Sequence, residues 1–297
     1  MKPDEVVNPT DGTALHYELR VDAYAPAEIA KRVRDVGVTK ANLDAASMFA
    51  LAVLAGAFIG LGACFSTLSI SGVELGYGLQ RLVAGITFSM GLILVIVAGA
   101  ELFTGNNLAV MAWAEGRVPL GRLLSSWAWV YLGNFVGAVA TAGLVFFAAP
   151  WIADGHEVGA TALRIAAAKC QLAPVPAFFL GVMCNALVCL AVWLCFSARS
   201  TTDKILSILF PITAFVALGF EHSIANMYFI PMGLLLESEP GVRAAAGLDE
   251  SALAALSWAG FVRNLVPVTL GNVVGGSLLV GAMYWFIYLR GDEGKSS

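Results

Sequence analysis

Charge is what this chain has least of. Asp, Glu, Lys and Arg make up 13% of its 297 residues, whereas 59% are hydrophobic. A soluble domain carries about 25% charged residues, so a water-facing globule is excluded, and no nucleic-acid partner is expected. Histidine is scarcer still, with His16 near the start, His156 in a polar connection and His222 inside an apolar run. The five cysteines (Cys64, Cys170, Cys184, Cys189, Cys195) are odd in number and lack metal-ligand spacing, which reads as small apolar packing. HExxH, the nucleophile elbow and any metal-binding cluster are missing. That argues against an enzyme and predicts neither cofactor nor metal. Residues 1–44 contain no short apolar core ending in a small-residue cleavage site, so the first span is expected to act as its own insertion signal. No signalling domain is visible, which disfavours a sensor or scaffold.

What the chain does have is long apolar stretches, at about 45–66, 82–111, 122–149, 175–197, 205–236 and 264–289, and a mean hydropathy of +0.79. Each is long enough for a bilayer core of about 30 Å. The reading is an all-α polytopic membrane protein with six spans, a tail at 1–44, a transmembrane domain at 45–290 and a short tail at 291–297. Six spans put both termini on one side. Of the 17 Lys and Arg residues, that side holds 12: Lys2, Arg20, Lys31, Arg32, Arg34, Lys40, Arg117, Arg122, Arg199, Lys204, Arg290 and Lys295. The other holds Arg81, Arg164, Lys169, Arg243 and Arg263. The positive-inside bias therefore predicts cytoplasmic termini. Within the first tail, APAEIAKRVRDVG (25–37) sets Ile29, Val33 and Val36 on one helical face behind Pro26, which predicts a short amphipathic helix at the inner surface.

Two runs are too long for one straight helix. At 1.5 Å per residue, 205–236 would extend about 48 Å and 82–111 about 45 Å. Both contain polar interruptions, ELFTGNN in one and GFEHSIAN in the other. A shift of 120 residues lays GAELFTGNN (99–107) on GFEHSIANM (219–227), and a shift of 138 lays LGNFVG (132–137) on LGNVVG (270–275). Three spans per repeat is an odd number, so the halves run through the membrane in opposite senses. The expected fold is an inverted 3+3 repeat with spans 2 and 5 broken, the polar stretch 237–262 absorbing the length difference as a loop. Non-helical backbone survives at membrane depth only where it faces protein or a watery cavity, and the two breaks should meet near the midplane.

The breaks define the candidate residues. Glu101 and Glu221 are expected to be structural, capping exposed half-helix N–H groups. An ionisable residue within a span is a functional hypothesis by default, which singles out His222, although a histidine there can also simply bond backbone. Thr104 and Asn226 offer a hydroxyl and an amide to the same region. Asn185 on span 4 either joins them or bridges helices. Lys169, in RIAAAKCQLAPVP, either concentrates anions or snorkels.

These segments resemble the formate/nitrite transporter family. The likeness covers about 23–290 and is most specific in ELFTGN (101–106), NALVCLAVW (185–193), GFEHSIANM (219–227), IPMG (230–233) and PVTLGNVVGG (267–276). It implies an aquaporin-like fold, a homopentamer with a pore in each protomer, and a bacterial-type inner membrane. The family's substrates are small monovalent weak-acid anions, moved with or without protons. Its pore histidine and threonine fall on His222 and Thr104, its outer lysine on Lys169, and its asparagines on Asn185 and Asn226. Its hydrophobic constrictions fall on Phe88, Leu92, Phe103 and Phe215, residues that by themselves read as lipid or core packing. GFEHSIANM and IPMG are similar to the formate branch and ELFTGN to the nitrite branch. Formate is the first reading, with nitrite or hydrosulfide as the alternative; a water or polyol channel shares the expected architecture but has no use for the histidine.

Overall fold

Hydrocarbon offers backbone groups no partners, so a spanning chain must satisfy them within itself. The computed structural model describes residues 6–7, 14–15 and 22–291. Within them the chain is α-helical apart from a short antiparallel pair, β1 (Val6–Val7) with β2 (Ala14–Leu15). His16, Lys2, Arg20 and Lys295 lie outside the described residues.

Five helical stretches are long and apolar enough to cross a membrane. They are α2 (Ala45–Ile70), α3 (Tyr77–Ala98), α6 (Leu120–Ala148), α8 (Pro174–Ser197) and the composite Trp258–Tyr288, which joins α13 (Trp258–Val273), a π-helical stretch Val274–Ala282 and α14 (Met283–Tyr288). The run expected at 205–236 is two shorter helices, α9 (Thr201–Ala217) and α10 (Ser223–Leu236). The run at 82–111 likewise divides: after α3 come α4 (Phe103–Asn106), a tight turn at Asn107–Ala109 and α5 (Val110–Ala114).

Three expectations need correction. The amphipathic segment is α1 (Pro26–Ala41), and its buried face of Ile29, Ala30 and Val33 packs on protein, with Leu108, Met111 and Trp193. Arg34 ties it to Glu115 at 3.0 Å. Span 2 starts at Tyr77, because Arg81 finds carbonyl partners on α9 and need not leave the helix for water. The polar connection 237–262 holds α11 (Pro240–Ala246) and α12 (Glu250–Ala255). Pro240 opens the first and the Asp249 carboxylate caps the second by accepting from Ala252 N–H at 2.7 Å, both standard helix starts. A third helix on that side, α7 (Glu157–Gln171), carries Lys169.

Glycines set how closely the long helices approach. A Cβ at Gly137 of α6 would lie 1.9 Å from the Val53 carbonyl oxygen of α2, and one at Gly275 would lie 2.0 Å from the Val182 oxygen of α8. The same kind of contact thus recurs in both halves, as small-residue packing in lipid requires. Overpacking such a seam costs about 1–3 kcal/mol, occasionally more. Gly137→Val is expected to lower the thermal midpoint of the detergent-purified protein well below that of Gly143→Val, since Gly143 has open space around it; equal midpoints would contradict the seam.

Candidate functional site

Each broken run halts at a glycine in the left-handed region, Gly99 (φ +83°) after α3 and Gly219 (φ +75°) after α9, a conformation that strains any residue with a Cβ. Beyond each, a few non-helical residues lead into the next half-helix, and the peptide groups on either side of its central glutamate find partners outside the helix. Glu101 N–H donates to Leu51 O at 3.2 Å. Asn134 of α6 donates to Glu101 O at 2.9 Å and to Ala52 O at 2.7 Å, and accepts from Phe103 N–H at 2.9 Å. In the second break Glu221 N–H donates to Leu180 O at 3.3 Å. Asn272 of α13 donates to Glu221 O at 3.0 Å and Gly181 O at 2.8 Å, and accepts from Ser223 N–H at 2.9 Å. One asparagine clamps each break, and the two clamps are the central residues of LGNFVG and LGNVVG.

The carboxylates therefore do not cap. A break presents one C=O and one N–H to its clamp, and a carboxylate accepts only, whereas an amide does both. Glu101 and Glu221 instead hold lysines and amides. Glu221 Oε1 meets Lys169 Nζ at 2.8 Å while Oε2 accepts from Asn226 Nδ2 at 2.6 Å. Glu101 Oε1 meets Lys40 Nζ at 3.2 Å while Oε2 accepts from Asn106 Nδ2 at 2.7 Å. Lys40, on α1, also donates to Asn106 Oδ1 at 2.8 Å.

His222 is where the halves differ. Its repeat counterpart 120 residues earlier is Leu102, which caps α4 with no side chain. His222 Nδ1 accepts from Ala225 N–H at 3.1 Å, capping α10. With Nδ1 an acceptor, the ring proton sits on Nε2 and is donated to Thr104 Oγ1 at 2.9 Å. The bond joins the two breaks. Both residues are buried, at 3% and 0% exposure. The imidazole stacks on Phe215 at 5.9 Å, and Phe215 meets Phe88 edge-on at 5.6 Å.

Two cavities approach this pair from opposite sides. The larger, about 290 Å³, is lined by Arg81, Phe88, Lys169, Phe215, His222 and Asn226 among others. The smaller, about 40 Å³, is lined by Lys40, Leu92, Gly105 and Asn106 among others. Phe88 and Leu92, one turn apart on α3, face different cavities, so the wall between them runs through the His222–Thr104 pair and these rings. Asn185 and Phe103 line neither cavity. Asn185 bridges the breaks, donating to Thr104 O at 3.2 Å, Asn107 Oδ1 at 2.8 Å and Asn272 O at 2.7 Å. Phe103 packs against Tyr131 and Trp127, at 4.9 and 6.2 Å between ring centres.

Comparison with known proteins follows the same segments. The formate/nitrite transporter family model matches residues 27–286. The formate channel FocA of Escherichia coli K12 is 41% identical over 276 residues, covering 92% of this chain and 97% of its own. FocA of Haemophilus influenzae is 38% identical over 269 residues, covering 89% and 95%. The chain belongs to the formate/nitrite transporter family. A solved pentameric formate channel with formate bound superposes with a TM-score of 0.77 at 41% identity, covering 83% of this chain and 98% of that one. An ion channel of the same family superposes at 0.76 with 29% identity, covering 88% and 98%.

Within this formate/nitrite transporter, sequence reasoning passed over Asn134, Asn272, Lys40 and Arg81. The asparagines mark the repeat, and an uncharged polar residue deep in a span already asks for a partner. Lys40 and Arg81 sit close to span ends, where sequence shows only loop charge. Thr104→Val keeps the shape but leaves a buried Nε2–H without its acceptor, which costs about 1–3 kcal/mol. It is expected to lower the thermal midpoint in detergent, with Thr104→Ser close to wild type. An unchanged midpoint for Thr104→Val would contradict the bond as drawn.

Proposed function

We propose that this chain is a formate channel: an inverted 3+3 repeat of six spans with an aquaporin-like fold, assembled as a homopentamer with one pore per protomer and with cytoplasmic termini in a bacterial-type inner membrane. The observation that carries the reading is the buried His222–Thr104 pair in the wall between two cavities. A relative whose structure is described as a pentameric formate channel with formate bound supports both substrate and assembly. A neutral-solute pore would have no use for the ring.

The physical problem is moving a small carboxylate past Phe88, Phe215 and Leu92. Placing the bare anion in such a medium costs on the order of 20 kcal/mol in the idealised limit and several in practice. Neutralising an acid with a pKa near 3.9 at pH 7 costs about 4 kcal/mol. Neutralisation is the lesser cost, and the pair is built to supply it. An anion about 4 Å from a charged imidazole gains about 4 kcal/mol at an effective dielectric near 20, so its arrival favours proton uptake at Nδ1. That proton displaces Ala225 N–H from Nδ1, freeing a backbone donor beside the anion. The imidazolium then passes the Nε2 proton to Thr104 Oγ1 as the Thr104 hydroxyl proton moves to the carboxylate oxygen, leaving formic acid and a neutral ring. If the second transfer fails to occur, the same contacts stabilise an ion pair and the anion passes charged. Asn226 Oδ1, buried and without a hydrogen-bond partner, suits an acid O–H and not an anion.

Uptake into proteoliposomes of formate, nitrite, hydrosulfide and acetate, at two pH values, tests the reading. Wild type is expected to favour formate and to run faster at the lower pH, and His222→Phe to lose that pH dependence. Retention of the wild-type pH profile in His222→Phe would remove the ring from the mechanism, and glycerol uptake matching formate would favour a neutral-solute pore.

A further inference from the structure

The ionisable groups lining the larger cavity are Arg81, Lys169, Glu221 and His222. Lys169 and Glu221 are an ion pair at 2.8 Å, so at the distance of an approaching ligand their charges cancel. His222 in its capping form is neutral. Arg81 is left. Its guanidinium crosses from α3 to the end of α9, where Nε donates to Ala217 O at 3.1 Å and Nη2 donates to Val216 O. Those carbonyls carry the partial negative end of a half-helix, equivalent to about half a charge. The start of α10, close by, contributes an opposite half charge of about the same size. Arginine has five N–H donors, and no other hydrogen bond or ion pair of Arg81 is formed among the described residues. The neighbouring surface groove is lined by Glu74, and by Glu157 paired with Arg164 at 2.6 Å.

The smaller cavity has no such cation. Its lysine, Lys40, is paired with Glu101, and the repeat counterpart of Arg81, 120 residues on, is the exposed Thr201. The glycine after each half-helix reports the same asymmetry: a Cβ at Gly219 would lie 3.2 Å from Arg81 Nη2, whereas one at Gly99 would meet nothing within 4 Å. The repeat is symmetric in its clamps and lysine pairs but not in net charge.

From this we propose that Arg81, not Lys169, is the uncompensated cation that draws the substrate anion into the mouth opposite the termini, and that it sets apparent affinity from that side only. Lys169 is engaged in holding Glu221, while Arg81 is pinned by two neutral carbonyls and keeps its charge available. The assignment rests on the formate-channel reading. It concerns access and not passage, so its signature lies in half-saturation and in ionic strength.

The experiment is initial formate uptake against concentration, in liposomes that hold the channel in one orientation with the larger cavity outward. It is run at about 0.01 M salt, where the screening length is about 30 Å, and at about 1 M, where it is about 3 Å. Arg81→Gln is expected to raise the half-saturating formate concentration about three- to tenfold at low salt, with the maximal rate unchanged, and to match wild type at high salt. Arg81→Lys should stay near wild type at both. An Arg81→Gln half-saturation equal to wild type at low salt overturns the proposal. So does a fall in maximal rate that is the same at both salts and is shared by Arg81→Lys, which would make the residue only a brace for α9. Wild-type liposomes that take up no formate sink the substrate reading and this assignment with it, and are told apart by needing no variant.

Discussion

Four peptide groups inside a membrane have to be paired without a helix to pair them, and the rest of this structure depends on how that is done. Breaking a run near Gly99 and again near Gly219 leaves C=O and N–H groups that hydrocarbon would punish by several kcal/mol each. Asn134 and Asn272 take them up, each joining its break to a neighbouring long helix as well. Because α6 packs on α2, and α13 on α8, at backbone contact through glycine, each clamp sits within reach of both. The close seams and the clamps are one device. Without the first the amide could not span the gap, and without the second the breaks could not persist where two half-helix ends face each other.

On that symmetric frame the chemistry lies in the departures from symmetry. Leu102 and His222 occupy matching places, as do Thr104 and Ile224, yet only one break carries an imidazole and only the other a hydroxyl. Their single bond at 2.9 Å crosses from one half to the other. The carboxylate–lysine–amide sets on either side are near copies, with Lys40 arriving from α1 and Lys169 from α7. The two breaks thus share what holds them and differ in the pair that joins them.

Much of this was legible in the residues because hydrocarbon allows so few solutions. Run lengths against bilayer thickness located both breaks, and the shifts of 120 and 138 paired them. His222 stood out because an imidazole among apolar residues is costly. Glu101 and Glu221 are structural, as expected, but they are not caps: partial charges at helix ends suggest an anion, whereas a break needs a donor as well as an acceptor. Lys40 was hidden by distance: it lies on a helix whose apolar face looked fit for lipid but packs on α5 and the Asn107–Ala109 turn. Asn185 looked like a candidate for the pore and turned out to be a strut, because hydrogen-bonding capacity alone does not say which side of a wall a side chain occupies.

The central claim is that one asparagine holds each break, and amide hydrogen exchange tests it most directly. In wild type the amides of Glu101, Phe103, Glu221 and Ser223 are expected to exchange slowly. Removing a clamp that makes three hydrogen bonds, at about 1 kcal/mol each, should speed exchange on its own side by about tenfold or more. Asn272→Leu is therefore predicted to release Glu221 and Ser223 while Glu101 and Phe103 stay slow. Exchange at Glu221 and Ser223 that is unchanged in Asn272→Leu would show that the break holds itself, and would contradict the account.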